Sequence, residues 1–151
     1  MNPSILVAIR CSLMFLIPTL AYAGSAQWDL DPISGDWNTA ANWIPNGVPN
    51  GPADTATFGF SNTTAVSISE DTEVNGIITP AATNHYSITV SSGLTLTLSG
   101  TGIVNNSGQN HTFVLTESNF EGTQMRFTNR ASAGNAGIFM EIGASIRGIS
   151  K

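Results

Sequence analysis

From Tyr86 to Ser99 the chain reads Tyr-Ser-Ile-Thr-Val-Ser-Ser-Gly-Leu-Thr-Leu-Thr-Leu-Ser, with apolar side chains two positions apart and hydroxyls between them. Side chains on an extended strand alternate between its faces, whereas a helix needs a repeat near 3.6 residues. Tyr86, Ile88, Val90, Leu94, Leu96 and Leu98 therefore share one dry face, and Ser92-Gly93 provides a bend. Because the parity is even on both sides of that bend, all six are expected to point into the same core.

The first two dozen residues have the layout of an export signal. Arg10 is their only charge, residues 13–20 are apolar around Pro18, and Ala21-Tyr22-Ala23 supplies the small residues a signal peptidase reads. The apolar run after Arg10 falls well short of the ~20 residues that cross a bilayer. Cleavage near Ala23 would also remove Cys11, the single cysteine, leaving a mature chain with no membrane span and no disulfide. Its stability must then come from packing or repetition.

Ser, Thr, Asn and Gly make up 58 of the 128 residues after Ala23, too many turn formers and too few charges for an ordinary helical protein. Apolar content is nonetheless too high for disorder. The basic residues Arg126, Arg130, Arg147 and Lys151 face ten acidic ones, so no basic stripe exists to neutralise phosphates, and nucleic-acid binding is not expected.

Alternation bounded by Gly, Asn, Asp or Pro predicts strands over residues 55–60, 65–69, 74–79, 86–90, 94–98, 112–115, 125–128, 138–142 and 145–149. Short strands spaced this way suit a sandwich, a barrel or a solenoid equally well. The corners discriminate. Ser99-Gly100-Thr101-Gly102, Asn105-Asn106-Ser107-Gly108 and Ser132-Ala133-Gly134-Asn135-Ala136-Gly137 are alike, and each precedes a short apolar strand. Such repetition favours a coil whose turns, of two strands and about 20 to 25 residues each, bury their apolar rows on one another. The expected fold is all-β: a right-handed parallel β-helix, with an antiparallel β-sandwich as the alternative. The one helical candidate, residues 37–43, is a turn or two closed by Pro45.

Trp28, Trp37 and Trp43 all precede the alternating strands. A solenoid's first turn exposes an apolar end and free strand edges, so a segment rich in large side chains is expected to cover it. The competing reading is that exposed indoles stack on sugar rings, with Asp29, Asp31, Asp36, Asn38 and Asn42 as hydrogen-bond partners. The organisation expected is a signal peptide over residues 1–23, a Trp-rich cap over 24–53 and solenoid turns over 54–151.

The run Gly35-Asp36-Trp37-Asn38-Thr39-Ala40-Ala41-Asn42-Trp43-Ile44-Pro45, then Val48-Pro49-Asn50 and Asp54-Thr55-Ala56-Thr57-Phe58, resembles the start of bacterial secreted proteins with autotransporter-associated β-strand repeats, including those with PEP-CTERM sorting tails. Residues 94–103, Asn105-Asn106-Ser107-Gly108 and Ala131-Ser132-Ala133-Gly134-Asn135-Ala136 are similar to that family's later turns. The resemblance implies a parallel β-helix passenger held at or beyond the outer membrane. Family members are usually far longer and end in a translocator barrel or anchoring tail, so this chain is expected to be the N-terminal part of a larger passenger. Its last turn would then be uncapped and prone to self-association.

No constellation specifies catalysis, and no catalytic, cofactor-binding or metal-binding residue is assigned. Asp29, Asp31 and Asp36 lack the ligand spacing of an EF-hand or of calcium-binding solenoid repeats. Glu70-Asp71-Thr72-Glu73 reads as a solvated corner that discourages edge pairing. Glu117, Glu121 and Glu141 do not define the paired carboxyl groups of a glycosidase, though Glu141 is placed to meet Arg126 or Arg130 across turns. His85 and His111 precede strands at expected corners without a partner ligand. The functional expectation is a secreted or surface-exposed structural or adhesive passenger with no catalytic activity, meeting surface glycans or other cell-surface proteins. The alternative is a carbohydrate-binding module using Trp28, Trp37 and Trp43.

Overall fold

The computed structural model describes residues 24–117, 122–140 and 144–148. The expected signal peptide, residues 1–23, lies outside them. Eleven strands and one 3-10 turn succeed one another: β1 Ala26–Trp28, the turn Ala40–Asn42, β2 Trp43–Ile44, β3 Gly51–Thr57, β4 Ala65–Ile68, β5 Thr72–Thr79, β6 Ser87–Val90, β7 Thr95–Asn105, β8 Thr112–Leu115, β9 Gln124–Phe127, β10 Gly137–Met140 and β11 Ser145–Gly148.

The strands form two parallel sheets ordered β11-β9-β7-β5-β3-β1-β2 and β10-β8-β6-β4. The chain alternates between the sheets and returns one strand further along each time, giving a β-solenoid of about four turns. Among the described strands only β1 and β2 pair antiparallel. The sandwich alternative fails for this reason: consecutive solenoid strands lie in opposite sheets, so none closes as a hairpin, although the corners over residues 69–71 and 91–94 are as short as hairpin loops.

Register carries the alternation from turn to turn. Val66, Ile88, Phe113 and Ile138 are aligned across β4, β6, β8 and β10, as are Ile68, Val90, Leu115 and Met140. On the other sheet Leu96 aligns with Met125, and Val74 with Leu98 and Phe127. Tyr86, Ile88, Val90, Leu96 and Leu98 are all buried, and Leu94 packs against the same cluster. One dry face through the Ser92-Gly93 bend is therefore what the structure has, with Gly93 supplying a φ of +78°. Each fully buried Leu, Ile or Phe contributes about 1.5–3 kcal/mol relative to exposure. In the last described turn the rows open: Met140 and Ile146 are 51% and 42% exposed, and Phe139, an outward residue aligned with Val114, is 62% exposed.

Residues 99–102 are not a corner. They lie inside β7, where the register shifts: between Val74 and Gly76 β5 has Asn75 alone, while β7 has Ser99, Gly100 and Thr101 opposite, and β3 has Pro52, Ala53 and Asp54. The extra residues leave the ladder and bend the strand, as bulges do. The Asn75 side-chain amide donates to Thr55 Oγ1 on one side and Thr101 Oγ1 on the other, each at 3.4 Å. Pairing resumes at Gly102, whose φ is +79° and whose absent Cβ would lie 2.2 Å from the Ser132 carbonyl oxygen. Only glycine lets the backbones of these two turns approach this closely.

Apart from β3, boundaries elsewhere differ by a residue or two. The largest difference is β3, which begins at Gly51 rather than Thr55 because its Pro52 and Ala53 carry no alternation. The predicted ends of the strands over 138–142 and 145–149 fall partly outside the described residues.

Candidate functional site

The tryptophan segment closes the first turn. β1 pairs parallel with β3, and the Gly35–Trp37 backbone runs along β4, with Trp37 N–H donating to the Ser67 carbonyl and Ser67 N–H to that of Gly35, both at 2.8 Å. The segment thus meets the first edge of both sheets. Asn42, fully buried, fixes the loop between them: its amide donates to Ser34 Oγ at 2.8 Å and to the Asp36 carbonyl at 2.6 Å.

All three indoles are 0% exposed. Trp43 stands edge-on to Trp28 and to Trp37, each at 5.0 Å between centroids, and Phe58 touches all three rings. Every indole N–H is spent on a carbonyl: Trp28 on Thr63 at 2.9 Å, Trp37 on Pro49 at 3.1 Å and Trp43 on Trp37 at 2.7 Å. Trp28, Trp37 and Trp43 consequently present no face to a sugar ring, contrary to the expectation behind the binding-module alternative. The burial of large rings with paired N–H groups at the end of an apolar column explains why they lie inside.

The aromatic column continues through Tyr86, 4.9 Å from Phe58, to His111. The Tyr86 hydroxyl donates to the Gly59 carbonyl at 2.7 Å, and burial pushes its pKa up to about 12 against a smaller lowering by Ser61. His111 Nδ1 accepts the Tyr86 backbone N–H at 3.0 Å, so the neutral ring carries its proton on Nε2 and donates it to Ser107 Oγ at 2.8 Å. Burial, and secondarily the stacked ring of His85, lower the His111 pKa. Both histidines are corner residues, as their positions suggest, and His85 Nδ1 contacts the Asn110 carbonyl.

The acidic candidates serve as ties. Asp36 accepts from Thr39 Oγ1 at 2.7 Å and Ser69 Oγ at 2.6 Å; Asp31 accepts from the Asn62 amide at 2.5 Å. Among the described residues no group of three His, Cys, Asp or Glu side chains is placed to hold a metal ion. Glu117 accepts the N–H groups of Gly122 and Thr123 at 3.0 and 2.8 Å. Glu121 and Glu141 lie outside the described residues.

Of the expected corner Glu70-Asp71-Thr72-Glu73, only Glu70 and Asp71 turn the chain; Thr72, which is buried, and Glu73 already open β5. Asp71 accepts the Thr95 N–H at 2.8 Å, and the Asn50 side chain links Asp71 to Glu73, accepting the Glu73 N–H at 2.9 Å. This corner forms one wall of an open trough of about 360 Å³ lined by Asn50, Asp71, Thr72, Glu73, Thr95, Thr97 and Arg126. A second trough, of about 470 Å³, shares Arg126 and continues over Phe127, Thr128, Ile146, Arg147 and Gly148. Glu73, Thr97, Arg126 and Arg147 are register partners on β5, β7, β9 and β11, so they form one outward row with a side chain about every 4.8 Å. Parity alone marks these residues as outward; their alignment depends on turn lengths that composition does not give.

No family model, curated protein or solved structure matches the chain.

Proposed function

We propose that this chain is an exported structural and adhesive β-repeat passenger, of the kind its resemblance to autotransporter-associated repeat proteins implies, without catalytic activity of its own. The observation that carries the reading is the use of the side chains: the aromatic residues close the column, the carboxylates of Asp36 and Asp71 hold the Ser69 hydroxyl and the Thr95 N–H of other segments, and that of Glu117 holds the Thr123 N–H. Residues of these types are invested in a rod whose outer faces remain for contact. Stacked turns suit repeated weak contacts, which gain strength by multivalency. The partners are surface glycans or other cell-surface proteins, and the location is extracellular or at the outer membrane after cleavage near Ala23. The exposed Phe139, Met140 and Ile146 beside the outer edges of β10 and β11 support association of the last turn with further chain or with another copy.

Expression of the whole chain in a Gram-negative host tests this reading. The processed protein, beginning near Gly24, is expected in the periplasm or medium and open to protease added outside the cytoplasm. Full-length, unprocessed protein confined to the cytoplasm would overturn it.

A further inference from the structure

We propose that the row of Glu73, Thr97, Arg126 and Arg147 binds an oligosaccharide in which one acidic sugar adjoins neutral ones. The inference rests on the adhesive reading and names the class of glycan.

Charge along the chain is strongly polarised. From residue 24 to residue 125 there is no Lys or Arg, while seven carboxylate residues lie between Asp29 and Glu73. The first basic side chain, Arg126, is then aligned directly with a second, Arg147, on the next turn. Both are exposed, and among the described residues neither forms an ion pair. Like charges on directly paired strands repel each other, so the fold itself gains nothing from this alignment. Two guanidinium groups about 4.8 Å apart at the backbone offer a fork of N–H donors matched to a carboxylate.

The rest of the row selects the ligand. Toward β5 the same trough is lined by Thr95 and Thr97 hydroxyls and by the carboxylates of Asp71 and Glu73. Carboxylates there repel a run of acidic groups, which disfavours an acidic peptide or polyanion, but they accept hydrogen bonds from sugar hydroxyls. A glycan lying along the solenoid axis would meet one outward side chain per turn, its acidic sugar at Arg126 and Arg147 and its neutral sugars over Thr97 and Glu73. An open trough lined mainly by polar side chains fits such a solvated chain.

The test is titration of the isotopically labelled protein with 3′-sialyllactose, which carries one carboxylate beside two neutral sugars, followed by the amide signals of Thr97, Arg126 and Arg147. Saturable shifts confined to this face are expected at about millimolar ligand. Arg126→Gln and Arg147→Gln are each expected to weaken binding about tenfold, the scale of one lost charge-assisted hydrogen bond. Arg130→Gln, outside the row, leaves it unchanged. Lactose and inorganic phosphate separate the two halves of the ligand. Equal binding of lactose overturns recognition of the acid, equal binding of phosphate overturns recognition of the sugars, and no shift with 3′-sialyllactose overturns the site. Insensitivity to both arginine substitutions overturns its placement. Because the export experiment reads location and processing rather than affinity, the two readings fail separately.

Discussion

Replacing Trp43 with Ala removes the ring at the centre of the cap. Its side chain is fully buried, lies 5.0 Å from Trp28 and Trp37 and 5.5 Å from Phe58, and donates to the Trp37 carbonyl at 2.7 Å. Truncating a buried aromatic to Ala costs about 3–5 kcal/mol in transfer and cavity terms. Leaving the Trp37 carbonyl without its donor adds about 1–3 kcal/mol if water does not reach it. The expected loss is about 4–6 kcal/mol, allowing for partial collapse of the cavity, against a total stability of about 5–15 kcal/mol for an ordinary domain. Trp43→Phe keeps a ring but loses the N–H, and is expected to cost about 1–3 kcal/mol. Urea unfolding followed by far-UV circular dichroism measures both, since the readout must not depend on the tryptophan removed. A loss below about 1 kcal/mol for Trp43→Ala would refute the claim that the indole cluster holds the first turn, because surface substitutions fall within about 0.5 kcal/mol.

Two further perturbations probe different parts of the fold. Gly102→Ala places a Cβ 2.2 Å from the Ser132 carbonyl oxygen and 2.3 Å from its nitrogen at a φ of +79°, so a loss of about 2–4 kcal/mol is expected from combined strain and overpacking; an unchanged urea midpoint would contradict the close approach of these turns. The lowered pKa of His111 means that on acidification the unfolded chain takes up a proton near the ordinary value of 6.5 that the folded ring still refuses. Its contribution is therefore complete above about pH 6.5 and declines as pH falls from there through the lower folded pKa. His111→Gln is expected to flatten the fall in urea midpoint across that window, and a slope identical to the parent's would rule out this histidine as its source.

Strand positions were legible wherever one face is buried, because Ile88, Val90, Leu96 and Leu98 must alternate with residues that face outward. Of the three similar polar stretches, the two that begin at Asn105 and Ser132 lie at corners and pointed to winding rather than hairpins. The internal shift in β7 was hidden by its own chemistry: Ser99-Gly100-Thr101-Gly102 has the composition of a turn, yet its glycines serve the close contact with Asn75 and Ser132. The cap followed from the need to cover an apolar end, whereas the depth of the indoles depends on Phe58 and Tyr86, which lie in later segments. The trough was the least legible part. Glu73, Thr97, Arg126 and Arg147 become neighbours only when turns of 24, 29 and 21 residues are laid in register.

Parallel stacking in this register is tested most directly by cross-linking Thr89 to Val114. The two are paired on β6 and β8 and only partly buried, so cysteines there fall about 4.8 Å apart at Cα, within the range a disulfide spans. Thr112 lies on the same strand face two residues from Val114, out of alignment with Thr89. With Cys11 replaced by Ser, Thr89→Cys paired with Val114→Cys is expected to oxidise to an intramolecular disulfide in the folded protein, leaving Thr89→Cys paired with Thr112→Cys largely reduced. Efficient closure of the second pair, with the first remaining reduced, would contradict the solenoid.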